Sequence, residues 1–475
     1  MILLDKTANE PLYLQIYQQI KEEILTGGLN EGDCLTGSRA AAKLLNVSRH
    51  TVDTAYSQLA AEGYIAAKKG LGFFVQPVPS LPNLPSINNN KQVSPTIKRI
   101  EQQKSNDTEI LYDLTNSSHT SNLFPKKIWQ RYTAECLEKL YIEEKISTLQ
   151  DKQGELFLRE SLSRYLQRMR GVHCHLDQII LTSGTQQSLD FLCKLLSTSA
   201  LPVLMEEPGY NKAVSVFRNN GRNIQTVPVD EQGICIQELP VVPENTLLYT
   251  TPSHQFPTGV TLPVGRRHEL LNWACKNSSY IIEDDYDSEL RYYAKPIPAL
   301  QSIDTHDRVI YLGTFSKVLS PSLRMSYMIL PPQLAGEYRR MFADYNSTVP
   351  LLNQYIVATL IDEGKYDQHV RRLNQIFKKR LKVFTELLAG VSDNLKISSN
   401  GSGQYFLLTF TAGTQQDELI EAAAKEGVRV YSTMNFWQEK AICPPNTLFL
   451  GFSKIELADI PDCAHRLKVA WKKWL

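Results

Sequence analysis

Long hydrophobic runs are absent from this sequence of 475 residues. No apolar stretch approaches the roughly 20 residues that a membrane-spanning helix requires. The first segment, residues 1–12, carries charges within its short apolar stretch and therefore lacks the core of a secretory signal peptide. We expect a cytoplasmic protein with no membrane partner.

Paired cysteine motifs are also absent. The eight cysteines are scattered, and no two of them have the CxxC spacing of zinc and redox motifs. Cys174 lies between His173 and His175, but three neighbours in sequence rarely converge on one metal ion. We therefore expect reduced thiols and no metal site.

An excess of either charge is missing as well, because the formal net charge is only +1. Residues 1–76 contain seven Lys or Arg residues against eight Asp or Glu residues, so the first part of the chain is not basic as a whole. Any interaction with nucleic acid must therefore be argued from local patterns. The length alone predicts two or three domains.

A cluster of prolines divides the sequence. Five prolines lie between Pro77 and Pro95, together with a run of three asparagines. Proline favours extended segments that lack backbone donors, so this composition is typical of a semi-rigid linker. We predict a small domain at residues 1–76, a linker at residues 77–108 and a large domain at residues 109–475.

The small domain has the pattern of a winged helix-turn-helix. Leu12, Ile16, Ile20 and Ile24 mark one face of an amphipathic helix. We predict a short helix that is capped by Ser38 and ends at Leu45, and a following helix that is capped by Ser48. Two short strands, Tyr64–Ala67 and Phe73–Gln76, flank a Gly/Lys tip and form the wing.

In such a domain the second helix of the motif presents its first residues to base edges, and basic residues of the wing meet phosphate. A three-helix protein-interaction module is the alternative. The candidate contacts with double-stranded operator DNA are Arg39, Ser48, Arg49, His50, Thr51, Lys68 and Lys69.

The large domain alternates strand-like and helical segments. The predicted strands are Ile179–Thr182, Val203–Met205, Thr246–Thr250, Tyr280–Glu283, Val309–Leu312 and Ser326–Leu330. This alternation is typical of an α/β fold, a mostly parallel sheet with helices on both faces. Ligands of such sheets bind at the carboxyl ends of the strands.

The residues that follow these strands match what pyridoxal 5′-phosphate (PLP) requires from a protein. Lys317 offers an amine for a Schiff base, and Asp284 offers a carboxylate for the ring nitrogen, whereas Asp285 should face the opposite side of the strand. Tyr286 can donate to the phenolic oxygen of the ring, and Tyr210 can stack on the ring. The candidate cofactor residues are Gly184, Thr185, Gln186, Tyr210, Asp284, Tyr286, Thr314, Ser316, Lys317 and Arg324.

The small domain resembles the GntR-family winged helix through Val47-Ser48-Arg49, Ala61–Tyr64 and Gly72–Val75, and the large domain resembles the fold-type I aminotransferases. Together they resemble the MocR/GabR family of transcription regulators over nearly the whole chain, most specifically in Glu206–Tyr210, Thr251–Gly259, Ile282–Glu289 and Gly313–Lys317. The resemblance implies an internal aldimine on Lys317. It also implies a head-to-tail, domain-swapped homodimer.

The sequence departs from this family on the side of the ligand. Asn435 stands where the resembling regulators place an arginine, and Gln404 lies in a segment where they tend to have Gly-Leu-His. A neutral amide cannot clamp a carboxylate as a guanidinium does. The candidate effector contacts are Lys212, His254, Gln404, Arg429 and Asn435; for His254, a role beside the cofactor and a role in loop packing remain alternatives.

These features favour a PLP-dependent regulator that senses an amine, an amino-acid-like effector or a B6 vitamer through an external aldimine at Lys317. A catalytically active aminotransferase that carries a DNA-binding domain is the alternative. A third hypothesis, an aminotransferase fold that serves only as a dimerisation scaffold, does not explain why Asp284, Tyr286, Lys317 and Arg324 are all present.

Overall fold

The computed structural model describes residues 2–8, 10–78, 109–115, 121–196, 201–293, 297–389, 392–411 and 413–475. The chain forms two compact units, Met1–Lys104 and Ser105–Leu475. Residues 79–108, which include most of the predicted linker, lie outside the described residues. None of the described helices is both long and apolar enough to span a membrane.

The smaller unit consists of three helices and one hairpin: α1 (Leu12–Leu25), α2 (Ser38–Leu45), α3 (Arg49–Ala61), β1 (Ile65–Lys68) and β2 (Gly72–Val75). Helix α3 begins after Ser48, whose hydroxyl oxygen accepts a hydrogen bond from the backbone N–H of Thr51 at 3.1 Å. The predicted cap of α2 was wrong, because Ser38 is already helical and Gly37 occupies the N-cap position. Ile16, Val52 and Leu59 form the centre of a small core.

The larger unit contains ten helices and fourteen strands within its described residues. The helices are α4 (Lys126–Ile142), α5 (Leu156–Arg170), α6 (Thr185–Leu195), α7 (Asn211–Asn219), α8 (Val264–Lys276), α9 (Pro332–Met341), α10 (Leu351–Asp362), α11 (Lys365–Ala389), α12 (Gln416–Lys425) and α13 (Ile460–Trp471). The strands are β3 (Tyr112–Asp113), β4 (Ile179–Thr182), β5 (Val203–Glu207), β6 (Ile224–Asp230), β7 (Gly233–Ile234), β8 (Leu247–Thr250), β9 (Tyr280–Asp285), β10 (Val309–Thr314), β11 (Ser326–Ile329), β12 (Leu395–Ser398), β13 (Tyr405–Phe410), β14 (Val428–Arg429), β15 (Tyr431–Ser432) and β16 (Thr447–Gly451).

The main sheet has the strand order β4-β11-β10-β9-β8-β5-β6-β7. Neighbours from β10 to β6 pair in parallel, whereas β11 pairs antiparallel with both β10 and β4. The prediction of a mostly parallel sheet is therefore confirmed. The strand β6 was not predicted, because Val227 is its one buried residue and its exposed positions resemble a loop.

A second, four-stranded antiparallel sheet of order β12-β13-β16-β15 follows the long helix α11. Its inward side chains share a core with helices α4, α5, α10 and α11. Because β4, β8, β9 and β10 of the main sheet all run in the same direction, their carboxyl ends meet at one edge. The residues that follow those ends are brought together there.

Candidate cofactor and effector site

A cavity of about 260 Å³ opens at this edge of the main sheet. All ten residues that the sequence predicted for the cofactor line it: Gly184, Thr185, Gln186, Tyr210, Asp284, Tyr286, Thr314, Ser316, Lys317 and Arg324. Lys212, which was predicted as an effector contact, lines it as well. Residues that are far apart in sequence thus meet in one place because they follow neighbouring strands.

Asp284 lines this cavity and has one oxygen without a hydrogen-bond partner in the described part of the chain. Its side chain is buried, and its Oδ2 accepts a hydrogen bond from the hydroxyl of Tyr249. Its Oδ1 is also buried and has no hydrogen-bond partner among the described residues. Burial raises the pKa of Asp284 to about 7, so a cationic partner would stabilise its ionised form.

Asp285, one residue further along β9, faces the other way. Its carboxylate is held by Arg170, with Oδ2 at 2.8 Å from Nε and Oδ1 at 3.1 Å from Nη2. Burial opposes ionisation of this group, but the Arg170 charge keeps its pKa below the usual value. Of these two neighbouring carboxylates, Asp285 therefore belongs to a structural ion pair, whereas Asp284 keeps an oxygen that can still accept a hydrogen bond.

Lys317 lies in the turn after β10, with its side chain lining the cavity. Burial lowers the pKa of its ammonium group, and the charge of Lys212 lowers it further, whereas Asp287 and Asp284 act in the opposite sense. A lowered pKa increases the fraction of neutral amine, which is the form that attacks a carbonyl carbon. The site therefore favours Lys317 as a nucleophile.

Another group of residues in the cavity lining is suited to an anion. Gly184 precedes α6 with φ +121°, and a Cβ at this position would overlap the guanidinium of Arg324. The backbone N–H groups at the start of α6 and the planar donors of Arg324 can both bind phosphate oxygens. Thr314 Oγ1 lies 3.0 Å from Ser316 Oγ and accepts a hydrogen bond from the hydroxyl of Ser326 at 2.9 Å. These hydrogen bonds fix the positions of the hydroxyl groups of Thr314 and Ser316.

Tyr286 belongs to a buried polar chain behind the cavity. Its hydroxyl oxygen lies 3.0 Å from Nδ1 of His254, and this nitrogen lies 2.8 Å from Oδ2 of Asp287. His254 itself does not line the cavity. A Cβ on Gly403 would overlap both His254 and Asp287, so the pair is closely enclosed, and its hydrogen bond to the cavity lining is made with Tyr286.

The structure also brings into the site residues to which the sequence analysis had assigned no role. Tyr249 holds Asp284, and Thr251, Phe256 and Phe436 line the cavity. Tyr249 pairs in register with Ile282, two residues before Asp284, so side-chain alternation in two paired strands could have placed it beside the carboxylate. From the sequence alone, Tyr249 had been predicted only as part of an apolar strand.

The predicted effector contacts are not all near the cavity. Gln404 is buried and donates from Nε2 to the carbonyl oxygen of Lys317 at 3.3 Å. Asn435 is exposed in a short turn whose next residue, Phe436, lines the cavity. Arg429 is exposed on β14, with Nη1 3.9 Å from a carboxylate oxygen of Asp113, and does not line the cavity.

In the smaller unit, the predicted DNA contacts are grouped on exposed parts of the motif. Arg49 and His50 begin α3 and are exposed, whereas Thr51 is half-buried beside the cap residue Ser48. Lys68 and Lys69 are exposed in the hairpin, and Arg39 is exposed at the start of α2. Nε of Arg49 lies 3.3 Å from Oδ2 of Asp53, one turn along the same helix.

Comparisons with known proteins agree with both units. Residues 12–75 match the family of bacterial regulatory proteins of the gntR type, and residues 120–440 match the class I and II aminotransferases. The HTH-type transcriptional regulator YdeL of Bacillus subtilis (strain 168) is 36% identical over 99% of this chain and 98% of its own length. The "probable rhizopine catabolism regulatory protein MocR" of Rhizobium meliloti is 33% identical, over 99% of this chain and 96% of its own length.

A solved structure gives the same result for the larger unit. LysN, the α-aminoadipate aminotransferase of Thermus thermophilus in complex with N-(5′-phosphopyridoxyl)-L-leucine, is 26% identical and superimposes with a TM-score of 0.66. The likeness covers 77% of this chain and 92% of that one.

Fold and site together define a protein in which a GntR-type winged helix is joined to a fold-type I aminotransferase domain. The chain belongs to the MocR-type family of HTH transcriptional regulators. GntR-family regulators bind operator DNA.

The cofactor of this class is PLP, and the residues present fit it. The buried Oδ1 of Asp284 has no partner in the described part of the chain, as a carboxylate reserved for a protonated ring nitrogen should. The absence of a side chain at Gly184 lets the guanidinium of Arg324, a planar phosphate donor, lie against the start of α6. When bound, PLP supplies a carbonyl carbon that forms a reversible bond with an amine.

Proposed function

We propose that the chain is a PLP-dependent, DNA-binding transcription regulator that senses a small amine, an amino-acid-like effector or a B6 vitamer. The observation that carries this proposal is the lining of one cavity, which contains Lys317, the buried carboxylate of Asp284 with its unpartnered oxygen, the turn at Gly184, and Lys212. The same chain also contains a GntR domain. In this proposal the effector amine replaces Lys317 on the cofactor, giving an external aldimine and releasing the lysine amine.

On the cofactor side, Asp284 pairs with the ring nitrogen, and Tyr286 donates to the phenolic oxygen. Gly184, Thr185, Gln186, Thr314, Ser316 and Arg324 hold the phosphate, and Tyr210 stacks on the ring. His254 is a positioning residue in this proposal, because its Nδ1 lies within hydrogen-bond distance of both Asp287 and the hydroxyl of Tyr286. The same hydrogen bonds of His254 would thus serve both its role beside the cofactor and its role in loop packing.

On the effector side, Lys212 is the cation best placed to meet a carboxylate, because it lines the cavity whereas Arg429 does not. Gln404 acts indirectly by holding the backbone of Lys317. Asn435 borders the cavity through Phe436 and offers an amide in place of a guanidinium. An effector with a single weakly held carboxylate, or with none, fits this arrangement better than an ω-amino acid that needs an arginine clamp.

For DNA binding, we assign base contacts to Arg49 and His50. We assign phosphate contacts to Lys68, Lys69, Arg39, the N-cap residue Ser48 and its neighbour Thr51. The family relationship supports a head-to-tail, domain-swapped homodimer with two winged helices. We propose the domain limits 1–76 and 109–475, with the linker at residues 77–108 carrying the change between them. Exchange of the amine at Lys317 would shift the population among arrangements of the dimer. This shift would change how well the two winged helices fit two DNA half-sites.

The test is whether amine exchange changes DNA affinity. Holo-protein is titrated onto DNA taken from the promoter region beside its own gene, with and without a panel of α-amino acids, ω-amino acids and pyridoxamine as probes. The control is holo-protein whose lysine–cofactor bond has been reduced by borohydride, because this protein cannot exchange. We expect a probe to shift DNA affinity only in unreduced protein; an equal shift in the reduced protein contradicts the proposal.

The aminotransferase alternative is favoured by the same intact set, since Asp284, Tyr286 and Lys317 would serve catalysis as well as sensing. The two functions differ in turnover. Production of keto acid in many-fold molar excess over protein, at a rate that depends on Lys317, would replace the sensor proposal with an enzyme. Stoichiometric spectral change without turnover is the result expected for a sensor.

A further inference from the structure

One nitrogen in the polar chain behind the cofactor cavity has two hydrogen-bond partners. Nδ1 of His254 lies 2.8 Å from Oδ2 of Asp287 and 3.0 Å from the hydroxyl oxygen of Tyr286. The side chains of His254 and Asp287 are each only 4% exposed, so bulk water does not compete for these contacts. A ring nitrogen that carries a proton donates, and one without a proton accepts. The protonation of Nδ1 therefore decides where the hydroxyl proton of Tyr286 can go.

The orientation of the His254 ring is fixed by its surroundings. The ring stacks with those of Tyr286 and Tyr405, at centroid distances of 5.9 and 5.6 Å. A Cβ on Gly403 would overlap the ring, and a Cβ on Gly259 would lie 3.3 Å from Nε2. Because little space remains around the ring, Nδ1 stays the nitrogen that faces both partners.

Asp287 determines whether Nδ1 carries a proton. An ionised carboxylate can only accept hydrogen bonds. The distance of 2.8 Å between Nδ1 and Oδ2 of Asp287 therefore requires a proton on Nδ1, because two facing lone pairs would repel each other in a buried site. The partner of one ring nitrogen commonly sets the tautomer of a histidine in this way. With its proton directed at Asp287, Nδ1 cannot accept the hydroxyl proton of Tyr286.

Tyr286 has a proton to donate. Burial raises the pKa of its hydroxyl well above the usual value, so the group stays neutral near neutral pH. The hydroxyl of Tyr405, at 3.3 Å, can itself donate to the oxygen of Tyr286. Tyr286 also lines the cofactor cavity, whereas Asp287 does not.

We propose that Asp287 is a positioning residue, which holds a proton on Nδ1 of His254 and thereby keeps the hydroxyl proton of Tyr286 available to the phenolic oxygen of PLP. This inference rests on the proposed function, which assigns the contact with that oxygen to Tyr286. It adds a role for the buried carboxylate, which acts on the cofactor through two other side chains.

The first experiment uses apo-protein, so its result does not depend on the cofactor. The nine histidines of the chain are labelled with 15N, and the signals of His254 are identified by their loss in His254→Gln. Solid-state NMR distinguishes a protonated from an unprotonated ring nitrogen by its chemical shift. We expect Nδ1 of His254 to be protonated in the wild type near neutral pH. An unprotonated Nδ1 would mean that Asp287 donates to it, and would overturn the inference.

Two neutral replacements separate the hydrogen bond of Asp287 from its charge. Asp287→Leu keeps the branched shape but offers no acceptor, so Nδ1 should lose its proton and accept that of Tyr286. Asp287→Asn is the matched control, because it also lacks the charge while its amide oxygen can still accept from Nδ1. We expect the Nδ1 signal to change in Asp287→Leu and to keep its wild-type character in Asp287→Asn. A protonated Nδ1 in Asp287→Leu would show that another group sets the tautomer.

In holo-protein, the measurement is a pH titration of the absorbance of the lysine-bound cofactor. A donor to the phenolic oxygen withdraws negative charge that stabilises a proton on the nitrogen of the lysine–cofactor bond, so loss of the donor raises the pKa of that nitrogen. We expect this pKa to be higher in Asp287→Leu than in Asp287→Asn by about 1, a tenfold change in the proton equilibrium. Loss of the negative charge alone would lower the pKa equally in both variants. Asp284 and Lys212, which also act on Lys317, are unchanged in both.

The link through Tyr286 is tested in a Tyr286→Phe background. Without the hydroxyl there is no proton to direct, so Asp287→Leu and Asp287→Asn should then give the same pKa. A difference that persisted in this background would exclude Tyr286 as the link and overturn the inference. Absence of any cofactor band would refute the proposed function and this inference with it, whereas a normal band together with an unprotonated Nδ1 would refute the inference alone.

Discussion

The hydroxyl of Tyr249 donates a hydrogen bond to Oδ2 of Asp284, and the second oxygen of this buried carboxylate is left for another donor. The bond fixes the plane of the carboxylate and therefore the direction of Oδ1. It also lowers the pKa of Asp284, against the larger effect of burial. Tyr249 is thus a positioning residue for the cofactor ring.

Replacing Tyr249 by phenylalanine should weaken PLP binding about threefold to tenfold, the usual contribution of one hydrogen bond. Without the donor, the pKa of Asp284 rises further, so a smaller fraction of it is ionised and able to pair with a protonated ring nitrogen. The measurement is a titration of apo-protein with PLP, followed by the absorbance of the lysine-bound cofactor. Tyr280→Phe removes a hydroxyl from the first residue of β9, away from the cavity, and should leave the affinity unchanged. Equal affinity in wild type and Tyr249→Phe would show that the bond does not act on the cofactor.

The raised pKa of Asp284, about 7, should make the stability of the apo-protein depend on pH. The folded state binds a proton that the unfolded chain releases above about pH 4, so the contribution of Asp284 is present at low pH and is lost as pH rises through 7. Between about pH 5.5 and about pH 7.5 this loss is on the order of 2 kcal/mol.

The measurement for that pH dependence is the free energy of unfolding of apo-protein in urea. Asp284→Asn cannot ionise and serves as the reference at each pH. We expect wild type to lose stability relative to this variant as the pH is raised. A constant difference between the two proteins over this interval would mean that Asp284 keeps an ordinary pKa in the folded state.

The sequence was sufficient to predict which residues line the proposed cofactor cavity, because most of them lie at or just after the end of a recognisable strand, and parallel strands bring their carboxyl ends to one edge. The effector side depends on pairings between distant segments that no local pattern encodes. Arg429 was a reasonable cation in sequence, but β14 pairs with β3, in register with Asp113 and outside the cavity lining. Gln404 contacts the backbone of Lys317 from a strand of the second sheet, a contact between residues 87 positions apart.

Asn435→Arg should change the ligand preference toward ω-amino acids. The turn that carries Asn435 borders the cavity through Phe436, and a guanidinium there can add a charge-assisted pair of about 1.5–3 kcal/mol with a carboxylate. We expect the affinity for 4-aminobutyrate, measured from the absorbance change of the cofactor, to increase about tenfold or more. Asn435→Gln is the matched control for side-chain length without charge. An equal gain in both variants, or none in the arginine variant, would separate position 435 from carboxylate recognition.

Arg49→Ala should weaken binding to promoter DNA by about tenfold or more, because an arginine at the start of the recognition helix can bind guanine or phosphate through two donors. In the structure Nε of Arg49 lies 3.3 Å from Asp53, and 55% of its side chain is exposed, so the residue contributes little to folding.

Arg131→Ala is a close control, since Arg131 is 53% exposed and lies 3.4 Å from Glu135 one turn along α4. DNA affinity is measured by fluorescence anisotropy at fixed salt concentration, and the absorbance of the bound cofactor should be the same in both variants. If Arg131→Ala weakened DNA binding as much as Arg49→Ala, the loss would reflect net charge, and the assignment of α3 as the recognition helix would fail.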